Sequence, residues 1–292
     1  MSGQLRTLRN RIRSVENTKK ITRAMEMVAA AKLRRFQDMM NKSRAYTHGL
    51  EELLKRVTAG SSKKAAATMT HPFIKPREEK NIALLLITSD AGLCGSYNND
   101  LIQTALRFIR ERKTKPVLIS VGKSGVTALK KELTPRNIFT DLRASRVEEI
   151  LAELQQTLET LFLENEVDAI YVVYSHFKNL TTYKSTVAKL LPLETPTAEK
   201  TGAEAKEYIF EPSPEILFQK LIPKFFEAKM RLIFLESIVS EQIARMTAMN
   251  QATKNAKEMI DSLVLQRNKA RQASITKELI EIVSGSRALK LK

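Results

Sequence analysis

The sequence predicts an α/β chain whose two ends are long helices wound on each other as an antiparallel coiled coil, with a smaller α/β domain between them. Three observations lead there. The last third carries a heptad seam, the N-terminal stretch repeats apolar residues at three and four, and the middle alternates short apolar strands with helices.

The C-terminal seam is the longest signal. From Leu232, steps of three and four reach Leu235, Val239, Gln242, Met246, Met249, Thr253, Ala256, Ile260, Leu263, Arg267, Ala270 and Ser274. A period of 3.5 held over that many turns implies supercoiling with a partner helix, because a lone helix drifts off its own seam. No Pro or Gly interrupts Arg231 to Ser284. At 1.5 Å per residue the stretch is roughly 75–80 Å long, more than a small domain can cover, so it is expected to project. Periodicity alone points to a dimerisation stalk. The other end of the chain supplies an internal partner instead.

That partner runs from Gln4 to about Val57. Leu5, Leu8, Ile12 and Val15 recur at three and four, then, after a slip that resembles a stutter, Ile21, Met25 and Val28, then Leu33, Phe36 and Met40. Its other face carries Arg9, Arg13, Lys20, Arg23, Lys32, Arg34, Arg35, Lys42 and Arg44, a charge run that in itself need be no more than a solvated face. Ala24 to Ala31 is apolar nearly all round except for Glu26, which predicts burial on more than one side.

Gly60 to Lys80 is polar and holds Pro72 and Pro76, so the helix stops there. Asn81 to Thr88 is a continuous apolar strand, followed by a turn over Ser89–Tyr97 and a helix near Asn99–Lys113. A strand at Pro116–Val121, a helix near Ser124–Leu133, a long helix near Arg146–Glu164 and a strand at Ala169–Tyr174 come next, and Ser185–Leu193 adds a last strand. Strands buried on both faces and alternating with helices predict a Rossmann-like sheet, parallel in its core, with helices on both sides. Thr195–Lys206 is a second linker, with Pro196 and Gly202. Pro214 suits the first turn of the final helix, and Pro223 is expected to kink it or mark its start. The organisation is thus an N-terminal helix over 1–60, a linker over 61–80, a central α/β domain over 81–194, a linker over 195–213 and a C-terminal helix over 214–292.

Composition narrows the function. The formal net charge of +17 attracts polyanions: nucleic acid, an anionic membrane surface or an acidic protein. Aromatics are only 6% and Trp is absent, so a base-stacking platform is not indicated. The single Cys94 cannot form an internal disulfide and fits a reducing compartment. The N-terminus has no signal-peptide core and no apolar run is long enough to span a membrane, so a soluble protein made inside the cell is expected.

An enzyme site is not apparent. The turn Thr88 to Asn98 stands where doubly wound folds bind phosphate, yet its spacing fits neither G-x-G-x-x-G nor the P-loop. Gly122-Lys123-Ser124 copies the end of a P-loop, but Val117 stands where the first Gly is needed. Gly92 and Gly95 more simply allow a tight turn. Cys94 has no nearby His, and His48, His71 and His176 are scattered, so no catalytic residue, cofactor site or metal site is expected.

Three stretches carry a resemblance. Asn17 to Lys32, the turn Ile87 to Asn98, and Asn268 to Gly285 look like the gamma subunit family of F-type ATP synthases, in the family's order and spacing. The family signature runs through Ile275, Thr276, Glu278 and Glu281 to Gly285. Ser286 then replaces the usual Ala, Ala91 stands where Arg is frequent, and Pro223 is unexpected in the last helix. The inserted Cys pair of the chloroplast version and a transit peptide are lacking, which suggests a bacterial source.

The resemblance implies a non-catalytic rotor without a cofactor. Its coiled coil would turn inside a hexamer of alpha and beta subunits, and its α/β domain would sit with the epsilon subunit on the membrane ring of c subunits. Membrane association would be indirect, at the cytoplasmic face of the bacterial inner membrane. Arg271, Gln272, Thr276 and Glu278 match positions that bond to beta loops as a catch. Lys20, Arg23 and Met25 lie on the family's coupling stretch, and with Arg34 and Arg35 form a basic collar for acidic segments of beta. Ile275, Leu279, Ile282 and Val283 would turn in an apolar bearing. Two rivals remain: a basic coiled-coil scaffold for nucleic acid, and a nucleotide-binding enzyme built on the middle domain.

Overall fold

The computed structural model describes residues 2–59, 70–112, 114–179, 182–194 and 210–290. Residues 60–69 of the first linker, Pro196 and Gly202 in the second, and Leu291 and Lys292 of the tail lie outside them. The chain divides into two compact units, Met1–Ala29 with Arg245–Lys292, and Ala30–Ala244.

Two helices contribute to both units: α1 (Ser2–Ala59) and α5 (Pro214–Lys290). Pro214 opens α5, where its missing N–H and fixed φ cost nothing. Pro223 lies inside α5 and neither ends nor starts it.

In the first unit the helical segments run antiparallel, since Thr22 meets Thr253 while Glu26 meets Asn250. On α5, Met246, Met249, Thr253, Ala256, Ile260, Leu263, Arg267, Ala270 and Ser274 are all buried or half-buried, as the heptad count requires. On α1 the seam is Leu5, Leu8, Ile12, Val15, Lys19, Thr22, Glu26 and Ala29. This corrects the sequence reading at one point. There is no stutter: the step of three and four continues through polar and small residues, leaving Ile21 and Val28 60% and 55% exposed. Register along a steady helix decides which residues face the partner, and Thr22 is tolerated there because its hydroxyl bonds to Thr253. The stretch Ala24–Ala31 is accordingly not enclosed on several sides; within this unit Ala29 is buried, whereas Ala24, Met27 and Val28 are exposed.

The second unit is built on a five-stranded sheet, β1 (Ile82–Ile87), β2 (Val117–Val121), β3 (Pro135–Phe139), β4 (Ala169–Asn179) and β5 (Thr182–Leu191). Their order is β3-β2-β1-β4-β5. The first three pairings are parallel, and β5 returns antiparallel to β4. Helices α2 (Tyr97–Arg110), α3 (Lys123–Leu129) and α4 (Val147–Leu163) make the crossovers. All six residues of β1 are buried, as a central strand covered on both faces must be. Ile82, Leu84 and Leu86 point into a cluster with Tyr97, Leu101, Ala105 and Phe108 of α2 and Ala244 of α5.

In the same unit the α1 seam continues as Leu33, Phe36, Met40, Ser43, Thr47, Leu50, Leu54 and Val57, all buried. The α5 segment lies antiparallel to it, because Arg44 meets Glu236 and Thr47 Oγ1 donates to Ala228 O. A short turn at Pro72–Ile74 inserts Phe73 between Phe226 and Phe162, with ring centroids 5.2 and 6.1 Å away.

Candidate functional site

A doubly wound sheet binds ligands in the crevice beyond the carboxyl ends of its strands, where the strand order reverses. Here that point lies between β1 and β4. Leu86 pairs with Val173, so Ser175 on β4 lies just past the end of β1. The crevice is filled by α5. Ser237 Oγ accepts from Ser175 N at 3.3 Å, Tyr97 Oη donates to Ser237 O at 3.0 Å and lies 2.8 Å from its Oγ, and Ser240 Oγ donates to Ser175 O at 3.3 Å. Beside them Glu236, 6% exposed, accepts from Arg44 Nη2 at 3.0 Å and lies 2.7 Å from His176 Nδ1. Burial, with the Glu236 charge nearby, pushes the Tyr174 phenol up to about 12.

The phosphate-like turns are likewise occupied. At the start of α3, Ser124 N donates to Ser89 O and Gly125 N to Thr88 Oγ1, while Gly122 N donates to Phe139 O. A phosphate cradle needs such amides free. Gly122 is left-handed at φ 87, and a Cβ there would meet Thr88 O at 2.3 Å, so this glycine serves close packing. In the Ser89–Tyr97 turn the left-handed residues are Leu93 and Gly95 rather than Gly92. Asn98 ties the turn together, accepting from Ser89 N and donating to Ser89 Oγ and Cys94 Sγ. Cys94 is buried there. His71 accepts from Phe73 N, and burial lowers its pKa. Among the described residues no cluster of side chains suits a metal ion, and no helix is long and apolar enough to cross a membrane.

The surfaces of the first unit are of another kind. Lys20 and Arg23 line a groove of about 680 Å³ with Glu16, Lys19, Thr253 and Ile260. Arg23 pairs with Glu26, whose carboxyl is held below its ordinary range chiefly by the hydrogen bond from Asn250. Met25 is half-buried nearby. Arg271, Gln272, Thr276 and Glu278 are all exposed on α5, as are Ile275, Leu279, Ile282 and Val283. Helical spacing sets Arg271, Ile275, Glu278 and Ile282 on one stripe, and Gln272, Thr276, Leu279 and Val283 on the next. Arg34 and Arg35 are exposed on α1 in the second unit, so the five residues of the basic stretch are divided between the units.

Two features escape a motif search. The seam places of Thr22 and Glu26, which meet Thr253 and Asn250, could have been found by counting threes and fours strictly from Leu5. The Tyr97–Ser237 contact joins residues 140 positions apart, and nothing local signals it.

The fold therefore defines a class: chains with a pair of antiparallel heptad helices and a doubly wound domain whose ligand crevice holds the chain's own helix. The ATP synthase family profile matches residues 4–289, and the chain belongs to that family. An ATP synthase gamma chain from an Anaeromyxobacter species is 42% identical over 290 residues, covering 98% of this chain and 99% of that one. One from Moorella thermoacetica is 42% identical over 292 residues, covering 99% and 100%. Among solved structures, a chain of the Euglena gracilis mitochondrial ATP synthase, in its OSCP/F1/c-ring assembly, shares the fold with a TM-score of 0.66 at 19% identity, covering 99% of this chain and 95% of that one.

Proposed function

We propose that this chain is the gamma subunit of a bacterial F-type ATP synthase, a non-catalytic shaft that carries torque between a membrane ring of c subunits and the alpha and beta hexamer. The observation that carries the reading is the near-complete match to gamma chains at 42% identity. The many exposed large apolar residues of the first unit support it, since uncovered apolar surface in such number suits a partner. A shaft acts by differential contact: it biases a catalytic subunit only because its contacts change with orientation.

In this reading Arg271, Gln272, Thr276 and Glu278 are the catch for beta loops, and Ile275, Leu279, Ile282 and Val283 turn in an apolar bearing. Lys20, Arg23 and Met25, with Arg34 and Arg35, meet acidic segments of beta. The α/β domain sits with epsilon on the c ring, at the cytoplasmic face of the inner membrane, and the chain touches the membrane only through the ring. Nucleic-acid binding is the rival that the charge permits. The filled crevice speaks against nucleotide binding by the chain alone.

The test is reconstitution of purified alpha and beta subunits with and without this chain, following complex size and ATP hydrolysis. One copy per complex and strongly raised hydrolysis are expected. Absence of association, or salt-sensitive DNA binding in its place, would overturn the reading. Replacing Arg271 and Gln272 together by Ala should lower coupled ATP synthesis without unfolding the chain, and unchanged synthesis removes the catch assignment.

A further inference from the structure

The crevice of the α/β domain lies where doubly wound sheets take ligands, and its occupant is a five-residue stretch of α5, Glu236 to Ser240. Five polar groups of the crevice find partners on that stretch: Tyr97 Oη and Ser175 N on Ser237, Ser175 O on Ser240, and Arg44 with His176 on Glu236, while the Ser175 hydroxyl is buried without one. Ser237 and Ser240 are fully buried and Glu236 nearly so. Three elements, α1, α2 and β4, thus converge on one turn of α5.

Elsewhere in the unit α2 packs on the sheet largely through apolar side chains, with the Thr104–Ser185 bond as a polar exception, and apolar contacts resist sliding only through shape. Hydrogen bonds are directional and resist rotation of a helix about its own axis, because donor and acceptor lose alignment within a few tens of degrees. A buried hydroxyl network also strengthens cooperatively in a low-dielectric setting.

We propose that this junction is the torsional clamp of the chain, in which Tyr97 and Ser237 are positioning residues that lock α5 rotationally to the α/β domain. The proposal rests on the shaft reading above and adds to it the place where the load passes into the helix. Torque applied to the α/β domain enters α5 at Ser237 through Tyr97 and Ser175, and Glu236 holds the same turn to α1 through Arg44.

The experiment measures angular fluctuation of a bead attached to the α/β domain through Lys131→Cys, an exposed site, Cys94 being buried. The full chain is assembled with alpha and beta subunits and halted with magnesium and ADP. By equipartition, angular variance is inversely proportional to torsional stiffness. The Tyr97→Phe, Ser237→Ala double variant removes the links through Tyr97 Oη and Ser237 Oγ, and its variance is expected to rise roughly twofold, with Tyr97→Phe alone, which keeps the ring, giving a smaller rise in the same direction. Thr104→Ala removes a comparable bond within the domain, from α2 to Ser185 on β5, and should leave the variance unchanged. Unchanged variance in an assembled Tyr97→Phe complex overturns the clamp. So does an equal rise in Thr104→Ala, which would mean general loosening. Failure of the unmutated chain to rotate with ATP is a different result: it overturns the shaft reading, and the clamp with it.

Discussion

The two units treat their apolar side chains in opposite ways. In Ala30–Ala244 the large ones point inward: Phe36, Phe162, Phe218, Phe226 and Phe234 are almost wholly buried, with the whole of β1. In Met1–Ala29 with Arg245–Lys292 the buried residues are few, Ile12, Met249 and Leu263 with the small or polar Thr22, Ala29 and Ala256, while Ile21, Met27, Val28, Leu265, Ile275, Leu279, Ile280, Ile282 and Val283 are exposed. The same helices supply both kinds of surface. The difference teaches that one unit supplies its own hydrophobic core, whereas the other keeps its apolar atoms for something outside the chain.

The sharpest way to break this comparison is truncation at matched apolar positions. Phe226→Ala, in the second unit, should cost about 3–5 kcal/mol of stability, through lost burial and the cavity left against Phe73. Ile282→Ala, 67% exposed in the first unit, should change the stability of the isolated chain by less than about 0.5 kcal/mol. Urea unfolding of the isolated chain followed by circular dichroism reads both. Similar costs would mean that the first unit has a core of its own.

A second contrast is in alkaline pH. The Tyr174 phenol is raised from 10 to about 12 by burial. A raised folded-state pKa gives stability that is full below pH 10 and is lost as pH rises from 10 through 12. The shift corresponds to about 2–3 kcal/mol. Burial also raises Tyr171 and Tyr183, which lie in the same unit. The chain should therefore lose stability over this window, and Tyr174→Phe should flatten part of the slope. A slope unchanged in that variant would show that Tyr174 ionises as freely folded as unfolded.

How far this division could be read in advance follows from the same residues. The α5 seam from Leu232 to Ser274 was legible position by position, because a heptad count needs no tertiary information. Strand β1 was legible because a strand buried on both faces is written as an unbroken apolar run. Strand β3 was missed: Pro135-Arg136-Asn137-Ile138-Phe139 begins with Pro, is half polar, and sits at the sheet edge where only one side must be paired. The slip read at Ile21 failed for a different reason. Apolar residues were assumed to mark the seam, and at Ile21 and Val28 they lie outside it while Lys19, Thr22 and Glu26 take the seam positions. The catch and bearing residues came from resemblance, since an exposed helix face carries no local sign of what it touches. The filled crevice was invisible, because it joins Tyr97 to Ser237 across the whole domain.

The finest test lies on the seam of the first unit. The Thr22 and Thr253 hydroxyls lie 2.8 Å apart across the seam, where either can donate, and each also reaches a carbonyl of its own helix, Lys19 O at 3.1 Å and Met249 O at 2.8 Å. Thr22→Val alone removes one partner of that contact and leaves the Thr253 hydroxyl facing a methyl group, which should cost about 1 kcal/mol. Replacing both threonines by Val substitutes a methyl contact of nearly the same shape, so the double variant should be close to neutral or slightly more stable than the original chain. The sign of the coupling decides what the polar seam is for. If the double variant is the more stable and still assembles with alpha and beta subunits, the hydroxyls add nothing to register and the unit is simply under-packed. If it is more stable but assembles poorly, the polar pair fixes which face of each helix turns outward. That second outcome is the one expected, because with valine at both positions the seam would no longer differ in polarity from the stripe of Ile21 and Val28 beside it, and the two registers would compete.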